Sequence, residues 1–253
     1  MLHLANDYIR NNVIVGHSPQ ASTITQQTFS LIQCNNIKVE LEKDCNSYIY
    51  SSLISFIDAL NGLQNGFYSW PTVKLYYSVF YALRAYLGLN DICIFYVGTK
   101  AFNINLNNQT NANKISGTTH KVVMELFKQN FQNHVLLTQD IDQAHPFDWL
   151  TYLREYSNYK NPRFCEPNIP SHFTRIDSMN LKNALIAYNQ DKNYLYAFDK
   201  DHAIIAYPLE IIKSVLHIYT NKGLTFDEVD LENIKEALSC INGTTGYFDS
   251  ILD

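Results

Sequence analysis

Charge is scarce in this chain. Asp, Glu, Lys and Arg make up 17% of its 253 residues, and 19 basic against 24 acidic residues leave a net charge of −5. A broad nucleic-acid-binding face is thereby excluded, because phosphate contacts rest on clustered Lys and Arg; a local basic groove is not. Asn, Gln, Ser and Thr carry much of the polar surface instead. Cysteine is sparse and unpatterned. Cys34, Cys45, Cys93, Cys165 and Cys240 are scattered, odd in number and without a CxxC pair, so reduced and mostly buried thiols are expected rather than a disulfide framework. No segment approaches the ~20 apolar residues that span a bilayer, and the N-terminal MLHLANDYIRNN has no long apolar run of a secretory signal. The expectation is a cytoplasmic protein with no membrane partner.

Several chemistries lack their motifs. There is no GxxxxGK[ST] loop, no GxSxG elbow and no local Cys–His signature. His134, His145, His202 and His217 show neither HxH nor HExxH spacing. No metal site and no cofactor are therefore expected.

Aromatic residues, by contrast, are abundant, with 18 Tyr and 14 Phe, and the hydrophobic fraction of 46% is enough for a sizeable core. They concentrate in Trp70 to Gly88, WPTVKLYYSVFYALRAYLG. Trp-Pro suits a helix start and Gly88 a helix stop. Leu75, Val79, Ala82, Leu83 and Tyr86 share one helical stripe, which Tyr76, Tyr77, Phe80 and Tyr81 broaden into an aromatic face. That face reads as core or dimer seam, with base stacking as the alternative. Before it, CNSYIYSSLISFIDALNGL is helical and short-linked, so an antiparallel neighbour. QQTFSLIQCNNIKVEL reads as a strand pair or an irregular lead-in.

Beyond it, Ile94–Val97 and Ala101–Ile104 flank Gly98-Thr99-Lys100 as a β-hairpin. NNQTNANKISGT is a polar loop. Thr118 or Thr119 caps HKVVMELFKQNF, whose Val122, Val123, Leu126 and Phe127 point one way. FDWLTYLREYSNYK and IDSMNLKNALIAYNQ are helical. NYLYAF and HAIIAYP flank Asp199-Lys200-Asp201 as a second hairpin, and Pro208 opens LEIIKSVLHIYT. Phe226 to Cys240 is the last helix, and GTTGYFDSILD is a tail. The fold class is mainly α: a helical bundle over 45–165 with two hairpins, a lead-in at 1–44, and a C-terminal extension at 166–253 packing on the bundle.

Three segments in order resemble the HEPN superfamily, the higher eukaryote and prokaryote nucleotide-binding helical domains. Lys74 to Leu87, KLYYSVFYALRAYL, is similar to the family's tyrosine-rich second helix. Thr119-His120-Lys121-Val122-Val123, followed by Phe127, resembles its Thr-His-Lys element. Leu150 to Tyr159, LTYLREYSNY, resembles its Leu-Arg-Glu helix. The resemblance covers about residues 45–165. It implies an up-and-down four-helix bundle, frequent dimerisation, and roles in toxin–antitoxin pairs, phage defence and RNA cleavage. The 92–118 insertion and everything after Pro167 lie outside it.

The family's ribonucleases carry an Arg and then a His, with about four to six residues between them. The matching region lacks that signature; Arg10-Asn11 with His17 matches it, ahead of the bundle. Metal-independent RNA cleavage needs an acid or base near the 2′-hydroxyl and a cation for the phosphate. The candidate catalytic set is His120 with Arg84 and Arg154, alternatively Arg10 and His17, with Lys121 and Asn158 binding substrate. The competing structural reading has His120 packing at a helix start and the arginines pairing with Asp58, Glu125 or Glu155. The functional expectation is a HEPN-like component of a bacterial defence or toxin–antitoxin system that binds or cleaves RNA. The alternative is a non-catalytic dimeric subunit holding a partner protein encoded nearby.

Overall fold

The computed structural model describes residues 3–14 and 20–241, and they are mainly helical. α1 (Leu4–Tyr8) runs into a π turn at Ile9–Val13; α2 (Ala21–Gln26) and β1 (Thr28–Phe29) follow. Two long helices come next, α3 (Leu31–Gln64) and α4 (Ser69–Leu89), then β2 (Ile92–Val97), β3 (Lys100–Asn105), β4 (Thr110–Asn111) and β5 (Asn113–Ile115). After α5 (Thr119–Asn130) stands α6 (Pro146–Glu155), ending in a second π turn at Tyr156–Lys160. The remainder is α7 (Ser171–Met179), α8 (Leu181–Gln190), α9 (Leu195–Phe198), α10 (Ala203–Asn221) and α11 (Glu228–Ser239). The chain forms two compact units: Met1–Tyr48 with Leu83–Asn130, and Ile49–Ala82 with Phe131–Asp253. Residues 15–19 and the GTTGYFDSILD segment, read from the sequence as a tail, lie outside the described residues.

α3 begins well before the helical pattern read at Cys45. Residues 31–44, expected as a strand pair or irregular lead-in, are helical. A capping box starts them: Ser30 N–H donates to Gln33 Oε1 at 2.9 Å, and Gln33 N–H donates to Ser30 Oγ at 3.3 Å. Cys34, Ile37, Leu41, Cys45 and Tyr48 then fall on one buried stripe.

α4 lies antiparallel to α3 within each unit. In the second unit Ser52 Oγ donates to Ser78 O at 2.7 Å and Lys74 pairs with Asp58 at 3.0 Å. In the first, Cys45 Sγ lies 3.7 Å from Ala85 O. Leu75, Tyr76, Val79, Phe80 and Leu83 are all buried, as the stripe predicts. Trp70 is the exception, 53% exposed at the helix start. Gly88 is not the stop; the helix passes through it to Leu89. Its role is close approach: a Cβ there would collide with Cys45 Sγ and sit 3.3 Å from Leu41 Cδ1.

The first hairpin forms as expected, with Ile94 opposite Asn103 and Val97 opposite Lys100. Gly98, at φ +60°, supplies the positive dihedral that a two-residue turn requires. β5 adds a third strand beside β3, and β4 pairs with β1, so the polar 107–118 segment is partly ordered. Phe95 and Phe102 stack at 5.4 Å beneath this sheet's core face, both fully buried. In α5, Val122, Val123, Leu126 and Phe127 are all buried, as their spacing indicates.

The second expected hairpin is instead helical: α9 and α10 occupy those residues. Asp199 O accepts from both His202 N and Ala203 N, turning the chain into a helix rather than back on itself. A short apolar run carries no period that separates strand from buried helix, and Ile204 through Ile212 are buried on every side. Pro208 therefore sits inside α10 rather than opening it. α10 is long and apolar enough to cross a membrane, but 72% of its apolar window is buried within the structure, as in a core helix. The single helix expected over 176–190 breaks at Asn180, whose φ of +71° ends α7 and whose side chain accepts from Lys182 N to cap α8. Cys34, Cys45 and Cys93 are buried free thiols, Cys165 is half-buried and Cys240 exposed.

Helix propensity alone favours Gly88→Ala by about 1 kcal/mol. The collision with Cys45 should reverse that sign, for a net loss of about 1–3 kcal/mol. A lower urea midpoint at unchanged slope is the expected result; a raised midpoint would contradict the close approach.

Candidate functional site

The candidate residues fall in both units. Arg84 belongs to the first and is only 8% exposed. Its guanidinium lies 4.3 Å from the centroid of the Tyr48 ring, and Nη2 donates to Tyr48 Oη at 2.8 Å. Tyr48 Oη in turn lies 3.0 Å from His3 Nδ1. Burial, followed by Arg84, holds the His3 pKa below its ordinary value. Asp44, 5% exposed, accepts from Leu4 N at 2.9 Å and Ala5 N at 3.0 Å. Burial raises its carboxyl pKa against those two hydrogen bonds. This is a closed polar network that pins α1 to α3, with Arg84 as its buried cation.

His120 and Lys121, also in the first unit, occupy the first turn of α5, His120 half-buried and Lys121 exposed. Arg10 is exposed in the first π turn, and His17 lies outside the described residues.

Arg154 and Asn158 belong to the second unit. Arg154 is clasped between aromatic rings, 4.6 Å from the Tyr76 centroid and 6.0 Å from that of Tyr159, and pairs with Glu155 at 3.3 Å. The Glu155 pairing is the one the structural reading of this arginine names. Asp58 and Glu125 pair with Lys74 and Lys128 instead. Asn158 is half-buried in the π turn, on a segment that exposes an aromatic row. Tyr152, Tyr156 and Tyr159 are 53%, 44% and 71% exposed. Tyr152 and Tyr156 stack at 6.1 Å, and Lys160 Nζ lies 4.8 Å from the Tyr152 centroid. Spacing of i, i+4 and i+7 puts the three rings on one side of α6 and its continuation. The expected aromatic face of α4 is, in contrast, mostly core: Tyr76 and Phe80 are buried.

Beside this row lies a cavity of about 400 Å³ that sequence reasoning did not identify. Its lining includes Tyr152 and Tyr156, the loop residues Asn161, Arg163 and Cys165, and His172 from α7. Glu166 fixes the loop by capping α4. Its carboxylate accepts from Tyr68 N at 2.7 Å, Ser69 N at 2.6 Å and Ser69 Oγ at 2.8 Å. Burial alone would raise its pKa; the Ser69 and Tyr68 N–H groups and the Ser69 hydroxyl outweigh that and hold it at about 2. With its proton given to Glu166, Ser69 Oγ accepts from the Cys165 thiol at 3.2 Å. Burial pushes that thiol's pKa up, so it is a neutral S–H rather than a nucleophilic thiolate. Thr72 Oγ1 donates to Tyr68 O at 2.8 Å and so accepts from His172 Nε2 at 3.3 Å, leaving Nδ1 as the ring's acceptor. Burial lowers the His172 pKa to about 4, so the ring is neutral at pH 7.

The arrangement offers aromatic faces, carboxamides and cations, with a protonated thiol and a neutral histidine. Among the described residues no group of three or more His, Cys, Asp or Glu side chains is placed to hold a metal ion.

Arg84→Ala should cost about 3 kcal/mol, because the buried Tyr48 hydroxyl loses its donor, its ring loses the guanidinium over it, and a cavity is left. A thermal melt equal to the parent's would show that the network is dispensable. For Glu166, a depressed carboxyl pKa contributes stability above the ordinary value of 4.5, lost as pH falls toward about 2. Glu166→Gln should therefore cost about 1–2 kcal/mol at pH 7, and its melting curve should converge on the parent's as pH approaches about 2. A gap that stays constant with pH would remove the charged cap from the account.

Compared with known protein families, with curated proteins and with solved structures, the chain finds no match.

Proposed function

We propose that this chain is a HEPN-like protein of bacterial phage defence or a toxin–antitoxin pair, and that it binds single-stranded RNA through the outer side of α6 and its π turn. The up-and-down four-helix bundle belongs to this reading. The three family-like segments fall on α4, on α5, and on α6 with its π turn, in order.

One observation carries the RNA binding: three solvent-exposed tyrosines share a side of the helix, Lys160 lies over Tyr152, Arg154 lies 6.0 Å from Tyr159, and Arg163 lines a cavity with Tyr152 and Tyr156. Exposed rings give bases a stacking surface that tolerates any sequence, and neighbouring cations track the backbone. Arg154 and Lys160 share Glu155 as ion-pair partner, at 3.3 and 3.8 Å, which leaves one net positive charge among the three beside the row. Binding is better supported than cleavage, since Arg84 is enclosed by Tyr48 and is not presented to a phosphate. A cytoplasmic location goes with an RNA target.

A second reading, a homodimeric subunit that holds a partner protein, draws on a different surface. Trp70 and Phe164 meet edge-on at 6.2 Å, and with Phe67 all three are more than half exposed. Aromatic residues are enriched at protein interfaces.

Filter binding of a short unstructured RNA, with salt held fixed, separates the two. Tyr159→Ala should weaken binding by about 5- to 150-fold, equivalent to ~1–3 kcal/mol for one stacked base. Its thermal melt should stay unchanged, since the ring is 71% exposed. Lys160→Gln should flatten the plot of log K against log salt by about 0.7, one phosphate contact. A parent protein with no RNA affinity, but a dimer by sedimentation, would favour the second reading.

A further inference from the structure

Two cavities flank the tyrosine row, and their linings differ in charge. The larger, about 580 Å³, shares Tyr152 and His172 with its neighbour but contains Asp142, Asp148 and Asp201, with Lys200 as its cation. The smaller, about 400 Å³, has no Asp or Glu among its lining residues and one cation, Arg163. Its volume lies within the roughly 300–1,000 Å³ of small-ligand sites. An anion in the first meets three lining carboxylates; in the second it meets Arg163, while the Glu166 carboxylate, taken up by Tyr68 and Ser69, lies 3.8 Å from Cys165 Sγ.

We propose that the smaller cavity receives one nucleotide of the bound strand, its base against Tyr152 and Tyr156 and its phosphate at Arg163. The proposal rests on the RNA-binding reading above. It goes further in assigning a discrete pocket for a single nucleotide where the open row alone would give only stacking.

Each part of a nucleotide has a chemical counterpart in the lining. The tyrosine pair keeps about half of each ring open, which suits a flat π face. Asn161 and Asn168 both offer paired donors and acceptors, the pattern a base edge presents in return. Arg163 carries the planar fork that matches phosphate oxygens. His172, neutral and with Nδ1 as acceptor, suits a ribose hydroxyl donor. α7 also opens on this cavity through Ser171 and His172 with no side-chain cap, so its first N–H groups add to the positive side.

Cys165 lines the cavity and reports its occupancy. Cys34, Cys45 and Cys93 are buried, so in a Cys240→Ser background it is the accessible thiol. Alkylation by iodoacetamide in mildly alkaline buffer should be slowed at least about 5-fold by millimolar nucleoside 5′-monophosphate. Nucleoside without phosphate, and ribose 5-phosphate without base, should each protect less. Arg163→Gln should raise the nucleotide concentration needed by about 10-fold, for one lost bidentate contact, with an unchanged melt. Tyr156→Ala should abolish the difference between nucleotide and ribose 5-phosphate. Absence of protection, or protection untouched by Arg163→Gln, would overturn the pocket. RNA affinity measured on the same protein distinguishes the two levels. RNA bound with Cys165 still freely alkylated overturns the pocket and leaves the tyrosine row standing. A parent that binds neither RNA nor nucleotide overturns both.

Discussion

The antiparallel pairing of α3 with α4 is the constraint on which the remaining elements depend. In the first unit the two backbones come close enough that only glycine fits at position 88, against Cys45 and Leu41. In the second, Gly62 plays the matching part: a Cβ there would lie 2.8 Å from Pro71 Cγ. Between these points small polar residues, Ser52 and Ser78, are buried because they bond across the helices or back to them. Close packing leaves little slack for changes in volume. Arg84 is buried on α4, where Tyr48, one helix away, covers its charge with a ring and an oxygen.

The same pairing sets where chemistry is available. α4 buries Tyr76 and Phe80 in the core, so the aromatic face that the sequence makes so conspicuous is mostly withdrawn from solvent. Tyr76 still shapes the surface from beneath: its ring backs Arg154, which also lies near Tyr159. A buried aromatic residue, a guanidinium and an exposed aromatic residue thus form a layered support.

Legibility in the sequence followed the strength of the local period. α4, α5 and the Gly98 hairpin were readable because apolar spacing and turn chemistry agree there. Residues 31–44 were missed although Ser30 and Gln33 spell a capping box, because Asn and Gln interleave the apolar stripe and dilute its contrast. The 193–208 stretch failed for the opposite reason: a segment buried on all sides shows no period. Asn180 ends a helix through a positive φ that no propensity rule at that position demands. At the site, Arg154 and Asn158 stood out as residues, but the row Tyr152, Tyr156 and Tyr159 was hidden in plain view, since sequence alone does not say which aromatic residues are exposed. The cavity was out of reach. Its floor is fixed by Glu166 bonding to Tyr68 and Ser69, 98 and 97 residues away along the chain.

That separation has a consequence for synthesis. Contacts between distant parts of a chain form late, since the intervening segment must be made and closed first. When Tyr152 to Tyr159 leave the ribosome, α4 has long been complete but its first turn still lacks the carboxylate that caps it. The chain must extend past Glu166 before that end of α4 is satisfied, and past His172 before the cavity has all its walls. A nascent or truncated protein ending near residue 160 would therefore keep Tyr76 and Arg154 beneath Tyr159 but lack the cavity walls that residues 161–172 supply.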